Sequence, residues 1–162
     1  MELSGFESQV VALGDALRAR GWRLATAESC TGGLIAAACT AVSGSSDWFE
    51  RGFVTYSNEA KTELLGVGAA LIAAHGAVSE PVALAMAAGA IARSRAQLAV
   101  AVTGIAGPTG AVPGKPVGTV WLAWGEARAL RAERLQLPGD RAAVREAAVA
   151  AALERLLAVA RT

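Results

Sequence analysis

The chain has 162 residues, with 15 Lys and Arg against 14 Asp and Glu and a formal net charge of +1. That length suits one domain over residues 1–162 with a sizeable core, and the near-zero charge argues against nucleic acid or an anionic membrane surface as partner. The longest uncharged stretch, Ala96 to Gly114, is broken by glycines and by Pro108 and Pro113, so no membrane span is expected.

Alanine supplies much of the 54% hydrophobic content, which suggests closely packed helices and sheet. The opening MELSGFESQV lacks the basic and apolar run of a secretory leader, so a cytoplasmic location is expected. Cys30 and Cys39 are too few for a disulfide framework. His75 is the single histidine, and no His, Cys and carboxylate cluster has metal-ligand spacing. No metal or cofactor is expected, and any nucleophilic chemistry should run without histidine.

Apolar Val10, Leu13 and Leu17 recur at helical spacing over residues 6–20, and Gly21 stops that helix. "WRLATA" reads as a short strand, followed by a helix from about Gly32 to Thr40. "VSGSSDWF" reads as a loop and "RGFVTYS" as a strand. "NEAKTELLG" is a short helix with Asn58 as N-cap and Gly66 as its stop. Residues 67–79 read as a connector. "SEPVALAMAAGAIAR" is a helix capped by Ser79 or Glu80, with Pro81 in its first turn.

"AQLAVAVTG" has the continuous apolar pattern of a buried central strand. The glycine- and proline-rich loop "IAGPTGAVPGKP" follows. "VGTVWLAWG" and "ARALRAERLQL" form a hairpin around Gly125 and Glu126. The last helix has Asp140 as N-cap, with Val149, Leu153, Leu156 and Ala160 on one face. This order predicts an α/β fold, a three-layer α/β/α sandwich with a mixed central sheet.

In such sheets ligands sit where strands end and loops begin. Three such points stand out. In "TAESCTGG", Ser29 precedes a helix start, and N–H groups of Thr31, Gly32 or Gly33 can stabilise an oxyanion. The alternative is a serine or threonine cap with glycines for tight packing, and caps are the commoner use. Cys30 is the other candidate nucleophile, with a packing role preferred. Glu28 either orients the turn or bonds a substrate group.

In "TYSNEAK", Lys61 falls in a first helical turn, where the helix dipole and burial both lower a lysine's proton affinity. A partly neutral lysine can act as general base for a serine. Tyr56, at the strand end, can relay or donate a proton. The alternatives are an exposed lysine and a packed aromatic. In "TGIAGPTGAVPGKPVG", Thr103, Gly104, Gly107 and Lys115 can hold a phosphate, although the spacing is not a dinucleotide fingerprint.

"AESCTGGLIAA", "GSSDWFERGFVTYSNEAK", "GAVSEPVALAMAAGA", "AVTGIAGPTG" and "GKPVGTVW" together resemble the C-terminal domain of the competence/damage-inducible CinA proteins. The resemblance runs from about Phe6 into the last helix. It implies an amidohydrolase that converts nicotinamide mononucleotide and water to nicotinate mononucleotide and ammonia, in pyridine nucleotide recycling. Ser29, Tyr56 and Lys61 match the family's catalytic positions. The implied partner is a small nucleotide substrate, and a homo-oligomer is expected. Thr109, Gly110 and Ala111 depart from the glycine-richer stretch of many relatives, and Gln97 replaces an acid often found there. The rival readings are a non-catalytic nucleotide-binding or regulatory module and an amidase for another substrate.

Overall fold

The computed structural model describes residues 1–162. Its strands are β1 (Leu24–Glu28), β2 (Phe49–Val54), β3 (Leu98–Gly104), β4 (Thr119–Gly125) and β5 (Arg131–Gln136). Its helices are α1 (Glu7–Arg20), α2 (Leu34–Thr40), α3 (Asn58–Leu65), α4 (Ala69–His75), α5 (Glu80–Ala92) and α6 (Arg141–Ala160). The strands form one mixed sheet in the order β2-β1-β3-β4-β5. β1 pairs in parallel with β2 and β3, whereas β4 runs antiparallel to both β3 and β5.

The two faces of the sheet differ in side-chain volume. Leu24, Leu98, Val100, Val102, Val120 and Leu122 point to a core shared with α1, α2 and α6. Ala25, Ala27, Ala99, Ala101 and Ala123 point to a second core shared with α3, α4 and α5. The alternation follows from the two-residue repeat of a strand. The helices thus form layers on both faces, as the sequence predicts.

The small face lets helices approach closely. Gly89 in α5 lies against the last turn of α3, and a Cβ there would collide with the Leu65 carbonyl oxygen. Gly89→Ala is therefore expected to destabilise the fold by about 1–3 kcal/mol through overpacking, despite alanine's better helix propensity. A urea midpoint equal to the wild type's would show instead that α3 and α5 separate freely.

Several boundaries depart from the sequence reading. Residues 67–79 contain α4, a short apolar helix without a side-chain cap. Ser57, not Asn58, caps α3: its backbone is extended and its hydroxyl accepts the Ala60 N–H. Short 3-10 turns occupy Leu3–Phe6 and Ser45–Asp47. α2 begins at Leu34 because Gly32 and Gly33 have φ of +59° and +104°. Two successive left-handed residues reverse the chain after Ser29, a path that glycine follows without the strain a Cβ imposes.

Candidate active site

β1, β2, β3 and β5 all point their carboxyl ends toward one edge of the sheet. After β1 the chain enters α2 on one face, and after β2 it enters α3 on the other. A crevice at such a divergence is where open α/β sheets hold ligands. β5 delivers the start of α6 to the same edge.

Ser29 follows β1 directly and is 8% exposed. Its N–H donates to the Val102 carbonyl at 2.9 Å, extending the sheet by one residue. The neighbouring Thr55 N–H donates to the Glu28 carbonyl at 2.9 Å. These two bonds fix the serine beside the segment that leads into α3.

Lys61 lies in α3 and is only 1% exposed. Its Nζ donates to Ser29 Oγ at 3.0 Å. It also reaches the carbonyls of Thr55 at 2.9 Å, Tyr56 at 3.2 Å and Ser57 at 3.5 Å. No carboxylate is among its partners. Burial pushes its pKa below the ordinary lysine value of 10.5. When neutral, the amine keeps two protons for carbonyls and turns a lone pair toward the serine hydroxyl. That arrangement can deprotonate Ser29.

The Glu28 carboxylate, 1% exposed, has its oxygens filled from within. Oε1 accepts the Thr31 hydroxyl at 2.7 Å and the Ile35 N–H at 2.8 Å, and Oε2 accepts the Ala36 N–H at 3.0 Å. It therefore caps α2 and stiffens the turn, which favours the orienting reading over a substrate contact. Cys30 is buried beneath this turn, and burial raises its thiol pKa to about 11. Such a thiol is a poor nucleophile at neutral pH.

A family model described as the CinA C-terminal domain matches residues 7–160. The chain belongs to this family. It is similar to proteins named nicotinamide-nucleotide amidohydrolase PncC. The one from Escherichia coli K12 is 54% identical over 156 residues, covering 96% of this chain and 93% of that protein. The one from Pseudomonas putida is 57% identical and covers 90% and 91%. A crystal structure of the competence/damage inducible protein CihA from Agrobacterium tumefaciens superposes with a TM-score of 0.92 at 46% identity. It covers 95% of this chain and 94% of that one.

Within this CinA-family fold the remaining sequence candidates separate. Tyr56 contributes its carbonyl to Lys61 and, at 3.4 Å, to the Ser29 hydroxyl. Its ring is 61% exposed, and its phenol oxygen accepts from Arg141 Nη2 at 3.3 Å. The phenol makes no hydrogen bond to Ser29 or Lys61, so this geometry gives no support to a proton relay through it.

The third loop gives the phosphate-cradle reading little support. Thr103, 1% exposed, donates its hydroxyl to the Ala77 carbonyl at 3.0 Å. Lys115 donates to the His75 carbonyl at 2.8 Å and so ties the loop to α4. At Gly104, a Cβ would come within 3.2 Å of Cys30 Sγ and 2.7 Å of a Val120 methyl carbon, so this glycine serves close packing. Gly107 alone faces α6, where its carbonyl accepts Arg141 Nη1 at 2.9 Å. No group of three or more His, Cys, Asp or Glu side chains is placed to hold a metal ion, and no helix is long and apolar enough to cross a membrane.

Two residues missed at the sequence level stand at this edge. Arg141 joins Tyr56 to Gly107, and Arg145 donates to the carbonyls of Cys30 at 3.1 Å and Thr31 at 3.4 Å. Neither forms a salt bridge. One signal was available: an arginine at the first position of a helix opposes the helix dipole. Such a placement calls for a partner outside the helix. A cleft of about 500 Å³ opens beside Arg141, lined also by Ala106, Pro108, Val117, Gly139 and Asp140.

Proposed function

We propose that this chain is a serine amidohydrolase acting on nicotinamide mononucleotide, with residues 1–162 as one catalytic domain. The observation that carries the reading is the 3.0 Å contact between buried Lys61 Nζ and Ser29 Oγ, without a carboxylate on the lysine. The names of the relatives supply the substrate class.

Ser29 Oγ attacks the carboxamide carbon while neutral Lys61 takes the hydroxyl proton. The resulting oxyanion is met by N–H groups of the turn after Ser29. The C–N bond then breaks, and Lys61 returns its proton to the departing nitrogen, releasing ammonia. Water, deprotonated by Lys61, attacks the acyl-serine and frees nicotinate mononucleotide. The product re-enters the pyridine nucleotide pool, which fits a cytoplasmic enzyme. The exposed ring of Tyr56 and the exposed side chain of Val54 offer apolar surface for the pyridine ring.

Purified protein incubated with nicotinamide mononucleotide should release ammonia and nicotinate mononucleotide in equal amounts. Absence of both products would reject the reading. Arg141, a cation without a carboxylate partner, is assigned to the substrate phosphate. Arg141→Gln should lower kcat/KM for the nucleotide by roughly 10–100-fold, the size of a lost charge-assisted hydrogen bond, mainly through KM. Turnover of nicotinamide riboside, which lacks the phosphate, should stay near the wild-type level. An equal loss on both substrates would refute the assignment.

A further inference from the structure

We propose that the Tyr56 phenol is a positioning residue: it orients the Arg141 guanidinium toward the substrate phosphate and so sets a preference for the mononucleotide over the nucleoside. The proposal rests on Arg141 being the phosphate contact. It follows from how the two ends of Tyr56 are held.

One end is backbone and belongs to the catalytic pair. The Tyr56 carbonyl accepts Lys61 Nζ at 3.2 Å and the Ser29 hydroxyl at 3.4 Å. Its chain neighbours are tied down as well. The Thr55 N–H donates to the Glu28 carbonyl, and the Ser57 hydroxyl caps α3. Tyr56 is therefore anchored at its backbone although its ring stands in solvent.

The other end is the phenol, and its one hydrogen bond is accepted from Arg141 Nη2 at 3.3 Å. Arg141 Nη1 donates to the Gly107 carbonyl at 2.9 Å. Gly107 is a firm support, since a Cβ there would stand 2.5 Å from a Val117 methyl carbon. Two acceptors on two different nitrogens fix both the plane and the direction of a rigid guanidinium. One acceptor would leave it free to turn.

Both acceptors are neutral, and that matters for an anionic ligand. A carboxylate would orient the arginine equally well but would cancel its charge. Asp140, the adjacent carboxylate, turns Oδ1 to the Ala143 N–H at 2.9 Å, and Arg141 forms no salt bridge. Only two of the five guanidinium N–H groups are used, so three remain for phosphate oxygens. A cation held in place before the ligand arrives loses less side-chain freedom on binding. The nucleoside carries no phosphate and gains nothing from that order.

The test measures ammonia release by wild type, Tyr56→Phe, Arg141→Gln and the double variant, on nicotinamide mononucleotide and on nicotinamide riboside. Phenylalanine keeps the exposed ring and removes only the acceptor. In Tyr56→Phe the ratio of kcat/KM for the nucleotide to that for the riboside should fall roughly 5–10-fold, the size of a weakened hydrogen bond to a charged group. The fall should lie in KM, with kcat on the nucleotide within about threefold of wild type. The double variant should show the Arg141→Gln ratio with no further fall, because the phenol acts only through the arginine. Nicotinate mononucleotide binding, measured by calorimetry, should weaken in Tyr56→Phe by the same factor as the ratio.

An unchanged ratio in Tyr56→Phe, with the ratio lowered in Arg141→Gln, overturns the proposal alone. A kcat loss shared by both substrates also overturns it, since that puts the phenol at the reacting carboxamide. So do falls that multiply in the double variant. An Arg141→Gln variant that keeps the wild-type ratio rejects the phosphate assignment and this proposal with it. Wild-type protein that releases ammonia from neither substrate rejects the amidohydrolase reading. Calorimetry on the same four proteins then decides the role of Tyr56: affinity lost to phenylalanine only where Arg141 is present upholds it, and equal affinity overturns it.

Discussion

Ser29→Ala is expected to lower ammonia release by roughly 10⁴–10⁶-fold, the scale on which loss of the nucleophile acts in serine hydrolases. The fold should survive. The hydroxyl makes one long bond to the Tyr56 carbonyl, and Lys61 keeps its carbonyl partners when the hydroxyl is gone. Cys30→Ala is the necessary companion, because its thiol lies next along the chain. That variant should keep turnover within about tenfold of wild type, since a buried thiol that ionises only near pH 11 supplies little thiolate at neutral pH. Circular dichroism and single-turnover ammonia release on both proteins decide the matter. Turnover retained in folded Ser29→Ala, and lost in Cys30→Ala, would move the nucleophile one residue along.

Lys61→Met should abolish general-base catalysis, a loss of about 10²–10⁴-fold, and should also make the protein more stable near neutral pH. The second effect follows from the sign of the pKa shift. Lys61 has a lower pKa folded than unfolded, so the unfolded chain binds more protons at pH values between the two. Stability therefore rises with pH across that window, up to the ordinary value of 10.5. Below the folded pKa both states carry the proton, and the folded state bears the full cost of burying it. Methionine has similar length and no charge, so it removes that cost. The wild-type kcat/KM should rise with pH on a limb centred below 10.5, as Lys61 loses its proton. Denaturant midpoints across pH check the stability claim. A wild-type midpoint that falls as pH rises toward 10.5 would contradict the assigned direction.

Much of the architecture was legible because it is written in short-range patterns. The apolar run of β3, the hairpin of β4 and β5, and the Asp140 cap of α6 each follow from local chemistry. Ser29 and Lys61 were legible as a candidate nucleophile and general base, paired by their chemistry alone. Their 3.0 Å contact was not, since it depends on β1 and β2 being parallel neighbours. The helix α4 escaped because "AALIAAH" is brief, apolar and uncapped, so it carries neither amphipathic period nor start signal. Ser57 and Asn58 are equally good cap residues, and only the extended backbone at Ser57 distinguishes them. Lys115 suggested a phosphate contact by composition, but its direction was settled by a helix forty residues earlier. Arg141 and Arg145 of α6 were missed because their partners lie 34 to 115 residues away.

The alanine-lined face of the sheet has a consequence for how such a chain can vary. On the leucine and valine face, branched residues can exchange for one another with volume nearly preserved. On the alanine face almost any replacement adds atoms where α5 already sits close, and glycine removes the only methyl available. Tolerance to substitution should therefore be lopsided across a single sheet. A saturation library of Ala25, Ala27, Ala99, Ala101 and Ala123 would return few folded members beyond glycine and serine, whereas the opposite residues of the same strands would accept several. Drift in this protein would be channelled through one side of its sheet while the other stayed fixed.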